Sequence, residues 1–215
     1  MSEEKKFPPL YPILDAQLAL RDVQDRWTYL REIVSELSDA GVELLQYRDK
    51  EADDLKFIEE ALVIRGAAPA SMRLIVNDRA ALVSLTQFDG VHVGQEDMAP
   101  AKARKMVGAG RMVGISTHNE EQLRRAEAEP VDYIAIGPVF ATGSKQNPDP
   151  VIGLEGVRLA RRLTSKPLVA IGGITLENAS SVYEAGADSL AVISALFGRD
   201  KTPGKIAKDI LQKFK

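Results

Sequence analysis

The 215-residue chain contains no cysteine. That excludes disulfides, thiolate metal sites and cysteine nucleophiles, and it fits a cytoplasmic protein. Histidine is nearly absent: the two present, His92 and His118, are too far apart in sequence to read as a zinc site by spacing. No apolar run reaches the roughly 18 residues that span a bilayer, so no membrane partner is expected. No basic excess exists either. Lys and Arg number 28 against 31 Asp and Glu, a net charge of −3, which makes nucleic acid a poor partner. The opening MSEEKKFPP is charged and lacks the apolar segment of a signal peptide. Residues 1–9 read as a flexible polar lead-in to a single domain over 10–215. The first turn, LDAQLALRD, has no G-x-G-x-x-G, and no GxxxxGK[ST] occurs.

What is present is alternation. Short strand-like runs stand at Tyr11–Leu14, Val42–Gln46, Leu74–Val76, Val91–Val93, Met112–Ile115, Tyr133–Ile136, Leu168–Ile171 and Ser189–Ile193. Between several of them lie helical periodicities, with Leu30, Val34 and Leu37 on one face of Trp27–Leu37, and Ile58, Leu62 and Val63 on one face of Leu55–Ile64. Parallel strands joined by helical crossovers follow, and about eight such units in this length predict an α/β single-domain (β/α)8 TIM barrel. A doubly wound sheet is the structural alternative. In a barrel the working residues follow the strands, so a polar residue just after a strand is a site candidate, and one just before it concerns stability.

After the second strand, alternation sends Gln46, Arg48 and Lys50 to one side and Tyr47 and Asp49 to the other. A guanidinium fork plus an ammonium suits phosphate or pyrophosphate, and a solvated charged loop is the plain alternative. Asn77-Asp78-Arg79 and Gly94-Gln95-Glu96-Asp97 each supply an Asp at a strand end. Two carboxylates beside a phosphate suit Mg2+; separately, Asp78 reads as a helix cap and Asp97 as a turn residue. Ser116 either donates to a ligand or caps the next helix. His92, within a strand, and His118 each contact ligand or serve structure.

The loop from Pro138 to Ile152 is long enough to be a functional lid or disordered, and its Thr142-Gly143-Ser144-Lys145 has a phosphate-contacting composition. After the last two strands come Gly172-Gly173 and Ile193-Ser194. Loops at these positions form the usual phosphate site of a (β/α)8 barrel, with glycines admitting the backbone and helix N-terminal N–H groups facing the anion. A diphosphate site with Mg2+ opposite a monophosphate site suggests transfer of a group off a diphosphate.

In order along the chain, QYRDK (46–50), NDR (77–79), GVHVGQED (90–97), GISTH (114–118), DYIAIGPVFATGSK (132–145), AIGGIT (170–175) and AGADSLAVISALF (185–197) resemble the thiamine phosphate synthase family. The resemblance covers nearly everything from Tyr11 on. It implies a transferase condensing 4-amino-2-methyl-5-(diphosphooxymethyl)pyrimidine with (carboxy)thiazole phosphate, giving thiamine monophosphate and pyrophosphate. It also implies that Gln46, Arg48, Lys50, Asn77, Ser116 and Lys145 contact the pyrimidine diphosphate, with Arg48, Lys50, Ser116 and Lys145 catalytic. By the same resemblance Asp78 and Asp97 hold Mg2+, and Thr142, Gly143, Ser144, Gly173, Ile193 and Ser194 contact the thiazole phosphate. Tyr47 stands where the family has Leu, and Ser144 where it has Thr. A thiazole tautomerase-like isomerase on the same barrel and a non-catalytic phosphate-metabolite-binding protein are the competing readings. A homo-oligomer is left open.

Overall fold

A computed structural model describes residues 7–142, 149–197 and 201–214. Eight parallel strands close into a barrel in chain order: β1 (Leu10–Asp15), β2 (Leu44–Arg48), β3 (Arg73–Asn77), β4 (Gly90–Val93), β5 (Met112–Thr117), β6 (Tyr133–Ile136), β7 (Leu168–Ile171) and β8 (Ser189–Val192). Around them run α1 (Ala16–Ala19), α2 (Arg26–Asp39), α3 (Asp54–Ala67), α4 (Val83–Thr86), α5 (Pro100–Val107), α6 (Glu120–Ala128), α7 (Gly153–Leu163), α8 (Ala179–Glu184) and α9 (Pro203–Leu211). The (β/α)8 expectation is met.

Helix starts follow local chemistry. Asp25, Asp53 and Asn119 accept the N–H groups of Thr28, Lys56 and Gln122 at 3.0, 2.8 and 3.0 Å, satisfying donors that the first turns of α2, α3 and α6 leave free. Pro100 and Pro203 occupy first-turn positions where no backbone N–H is needed. The apolar core divides into two shells. One lies between barrel and helices; the other fills the barrel with Tyr11, Ile13, Leu44, Ile75, Tyr133, Ala135, Val169 and Ala191. Helix α2 buries Leu30, Val34 and Leu37 as expected. Helix α3 does not follow its leucines: Phe57, Glu60, Ala61 and Ile64 face inward, while Leu55 and Leu62 are exposed. Glu60 turns the helix, because its carboxylate is the partner of Arg26 and Tyr47.

The end of the barrel before the strands carries a repeated clamp. Asp89, Asp132 and Asp188 each precede an even-numbered strand. One carboxylate oxygen of each accepts the N–H of Leu74, Val113 or Leu168 on the neighbouring odd strand, at 2.7, 2.6 and 2.8 Å. The same carboxylates pair with Arg65, Arg104 and Arg161, whose guanidiniums also hold carbonyls where α3, α5 and α7 end. Charge before the strands therefore serves stability, leaving the opposite end for chemistry.

Residues 1–6 of the lead-in lie outside the described residues, but packing begins before residue 10. The Phe7 ring sits 5.2 Å from that of Tyr133 and under the Arg73 guanidinium, and the Pro9 carbonyl accepts from Leu190 N–H at 3.0 Å.

Candidate active site

At the far end of β2 the expected alternation holds. Tyr47 turns to the helices, its ring 5.0 Å from that of Phe57 and its hydroxyl donating to Glu60. Asp49 also turns away and accepts from Gln17, Glu51 N–H and Ala52 N–H at 2.6, 3.0 and 3.0 Å. Gln46, Arg48 and Lys50 take the inner side. Gln46 Nε2 donates to the Tyr11 hydroxyl at 2.9 Å, Arg48 pairs with Asp15, and Lys50 Nζ lies 3.3 Å from Asp78. Asp15 was not singled out in the sequence. It ends β1, caps α1 by accepting from Leu18 N–H at 3.3 Å, and holds the guanidinium at the rim.

Asp78 and Asp97 come together. Asp78 caps no helix: the 3-10 turn that follows begins at Ala80 without a side-chain cap. Its backbone is left-handed, φ 60°, and its N–H donates to the His92 carbonyl at 2.8 Å. Burial, then the adjacent Asp97, pushes its carboxyl above the usual range, while Lys50 opposes the shift. Asp97 is exposed and accepts Gly94 N–H at 2.8 Å, a turn contact that also fixes where it points. Two adjacent carboxylates, one half-buried and one open to solvent, form a donor set suited to a hard cation that keeps its waters. Among the described residues no three-ligand cluster of His, Cys, Asp and Glu occurs. Arg79 leaves this site and holds the Asp49 and Ala52 carbonyls at 3.1 and 2.5 Å. Beside it, the Asn77 side chain ends β3 half-buried.

Ser116 does not cap α6, a role Asn119 takes. Its Oγ lies 2.8 Å from His92 Nε2. Burial lowers the His92 pKa to about 4, so the ring is neutral. Keeping it neutral has a measurable cost. An unfolded histidine takes its proton near 6.5 and this one near 4, so stability is full above pH 6.5 and falls as pH drops toward 4. We expect wild type to lose about 3 kcal/mol more across that window than His92→Gln, by urea unfolding at several pH values. Equal losses would place His92 in a wetter setting.

His118 makes two contacts at the loop after β6. Nδ1 donates to the Gly137 carbonyl at 2.6 Å and Nε2 lies 3.5 Å from Asp149, so the ring links both ends of the loop after β6. The loop base pairs with β7: Val139 N–H donates to Ile171 and Phe140 N–H to Gly172, at 2.9 and 3.0 Å. Thr142 is half-buried at the edge of the described segment; Gly143, Ser144 and Lys145 lie outside the described residues.

Across the barrel mouth, Gly172 and Gly173 have φ of 100° and 63°. A Cβ on Gly173 would stand 2.6 Å from the Ala141 carbonyl oxygen, so only glycine admits this approach. The helix after this turn starts at Ala179, and ahead of it Asn178 Oδ1 reaches back to accept Thr175 N–H at 2.8 Å. After β8, Ile193 packs on the inner core and exposed Ser194 opens a 3-10 turn rather than an α-helix.

The barrel mouth thus presents paired carboxylates and two cations on the β2–β4 side and a glycine-built backbone surface on the β7–β8 side. A family model for thiamine monophosphate synthase matches residues 10–196. The chain belongs to the thiamine-phosphate synthase family. It is 48% identical over 212 residues to the thiamine-phosphate synthase of Koribacter versatilis, covering 99% of this chain and 98% of that one. Its identity to the Chloroflexus aurantiacus thiamine-phosphate synthase is 41% over 192 residues, covering 89% and 86%. Among solved structures, the thiamine phosphate pyrophosphorylase of Pyrococcus furiosus superposes with a TM-score of 0.81 at 30% identity, covering 95% and 94%. The activity is that of a transferase of thiamine biosynthesis, acting on small molecules. No described helix is long and apolar enough to cross a membrane.

Proposed function

We propose that this transferase joins 4-amino-2-methyl-5-(diphosphooxymethyl)pyrimidine to a thiazole phosphate, plain or carboxylated, releasing pyrophosphate in a Mg2+-dependent dissociative substitution. One observation carries the reading. The Lys50–Asp78–Asp97 cluster and the Gly172-Gly173 turn both follow strands and so lie at the same barrel end, where a diphosphate and a monophosphate can be held on opposite sides of one mouth.

Asp78 and Asp97 are the residues that would hold the metal. Mg2+, when bound, supplies positive charge to a diphosphate leaving group. Arg48 and Lys50 add theirs, and fixed charge aimed at a departing anion is the largest electrostatic aid such a reaction can receive. Lys145 is proposed to act with them. Gln46, Asn77 and Ser116 would orient the pyrimidine, whose electron-rich ring carries the cation left after C–O cleavage. Gly173, Ile193 and Ser194, with Thr142, Gly143 and Ser144, would fix the thiazole through its phosphate so that its ring nitrogen attacks at short range. The nitrogen has no proton to lose, so no general base is required. That fits His92, whose ring partners among the described residues are the Tyr133 and Ser116 hydroxyls.

Pyrophosphate release, measured with both substrates and with each alone, with and without Mg2+, tests the reading. Release should require all three components. Isomerisation of the thiazole without pyrophosphate release would support a tautomerase instead. Release unaffected by a chelator would remove the metal from the mechanism.

A further inference from the structure

A chain of hydrogen bonds crosses the barrel interior beneath the site. Gln46 Nε2 donates to the Tyr11 hydroxyl at 2.9 Å. The Tyr11 and Tyr133 hydroxyls are 2.8 Å apart, Tyr133 reaches His92 Nδ1 at 3.0 Å, and His92 Nε2 reaches Ser116 Oγ at 2.8 Å. Five side chains from β1, β2, β4, β5 and β6 take part. Gln46, Tyr11, Tyr133 and His92 are buried and Ser116 half-buried, so bulk water does not compete along the chain.

The register makes this possible. Gly114 on β5 is paired with His92 on one side and with Tyr133 on the other. A Cβ at Gly114 would stand 2.0 Å from the Tyr133 ring. Because β5 contributes no side chain to that row, the two rings pass over it and stack, 5.5 Å apart and 25° from parallel. Ser116, two residues along, points to the same interior face and meets the imidazole from above.

The chain has one direction. Burial pushes both phenols well above their usual pKa, so each hydroxyl keeps one proton and donates once. Among the described residues the Tyr11 hydroxyl has two partners, Gln46 and Tyr133. An amide N–H can only donate, so Tyr11 accepts from Gln46 and spends its own proton on Tyr133. Tyr133 then spends its proton on His92 Nδ1. With Nδ1 accepting from Tyr133, the imidazole carries its hydrogen on Nε2 and donates it to Ser116 Oγ. With its lone pair engaged from below, Ser116 has its hydroxyl proton left for the barrel mouth.

We propose that Tyr11, Tyr133 and His92 are positioning residues that fix His92 as the Nε2–H tautomer and so make Ser116 a hydrogen-bond donor to the substrate. This rests on the reading of Ser116 as a substrate contact. None of the three residues needs to touch the reacting atoms. The order is a one-way relay of orientation, set at Gln46 and read at Ser116, and no proton changes owner along it.

The test is nitrogen-15 NMR of the full-length ligand-free protein, combined with kinetics. Proton-coupled spectra distinguish the two imidazole nitrogens, and His118→Gln removes the only other histidine signal. The expected result is a hydrogen on His92 Nε2 in wild type and a mixture of tautomers in Tyr133→Phe. That variant should lose about tenfold in kcat, the weight of one well-oriented hydrogen bond. In a Ser116→Ala background the same change should cost less than twofold, because residues acting through one another are not additive. Hydrogen on Nδ1 in wild type would overturn the proposal, as the Gln46 amide would then be turned over with the chain running backward. A full tenfold loss from Tyr133→Phe in the Ser116→Ala background would overturn it too, since Tyr133 would then act otherwise than through Ser116. The wild-type tautomer is read without substrate, so it decides the chain even if Tyr133→Phe does not fold. Failure of wild type to release pyrophosphate would instead count against the functional reading.

Discussion

Asp78→Asn lowers turnover by about 10²-fold or more and leaves the fold as stable as before, or more so. The two halves of this expectation have opposite signs for one reason. The Asp78 carboxyl is half-buried beside Asp97, and its pKa is raised first by burial and then by that neighbouring charge. Replacing the carboxyl with an amide removes a charge that burial and Asp97 both disfavour. Asparagine also tolerates the left-handed backbone at φ 60°, which alanine would not. In the working state the same charge is needed: a lost electrostatic stabiliser of a departing anion weighs about 10²–10³ in kcat, or roughly 3–4 kcal/mol. Excess Mg2+ should restore part of the rate. Asp97→Asn should act in the same direction while also loosening the turn at Gly94, whose N–H it accepts. Thermal unfolding of the metal-free protein and turnover against Mg2+ concentration check both. Wild-type rates for both variants at limiting Mg2+ would remove the carboxylate pair from metal binding.

The barrel was legible because its signal is repeated eight times, and each of the eight apolar runs overlaps a strand. Where edges slipped, a local bond explains it. The run from Val42 to Gln46 begins two residues before β2, since Val42 N–H is still donating to the Leu37 carbonyl and finishing α2 through the turn at Gly41, φ 92°. Helix α5 escaped because it is short and buries little, Ala103 and Val107, whereas α6 was anticipated after Ser116 although its cap is Asn119. In the site, period-two alternation sufficed to send Gln46, Arg48 and Lys50 inward and Tyr47 outward, because that is a property of one strand. Asp15, Tyr11 and Tyr133 were not legible. Their roles depend on register across several strands, and on an empty position at Gly114 that looks in sequence like any strand glycine.

The second large effect lies outside the barrel mouth but supports it. Arg26→Met destabilises the protein by about 3–5 kcal/mol, more than Glu60→Gln does. In the folded chain Arg26 grips Glu60 with two nitrogens at 2.6 and 3.2 Å, Tyr47 donates to the same carboxylate, and Asp49 lies 3.5 Å from the guanidinium. The partners are unequal in access to water: the Glu60 side chain is 2% exposed and Arg26 is 26%. Take away Glu60's charge and Arg26 swings to solvent, while the amide oxygen still accepts from Tyr47. The loss is that of a weakened hydrogen-bonded pair, about 1–3 kcal/mol. Take away Arg26 and a carboxylate is stranded where water cannot reach it, which is the expensive way to break a buried pair. Urea unfolding of the two variants reads the difference. Because Tyr47 and Asp49 flank Arg48, loosening this pair frees the strand end that aims Arg48 and Lys50, and turnover should fall along with stability. A Glu60→Gln loss as large as that of Arg26→Met would mean that the carboxylate is better hydrated than its position between α2 and α3 implies.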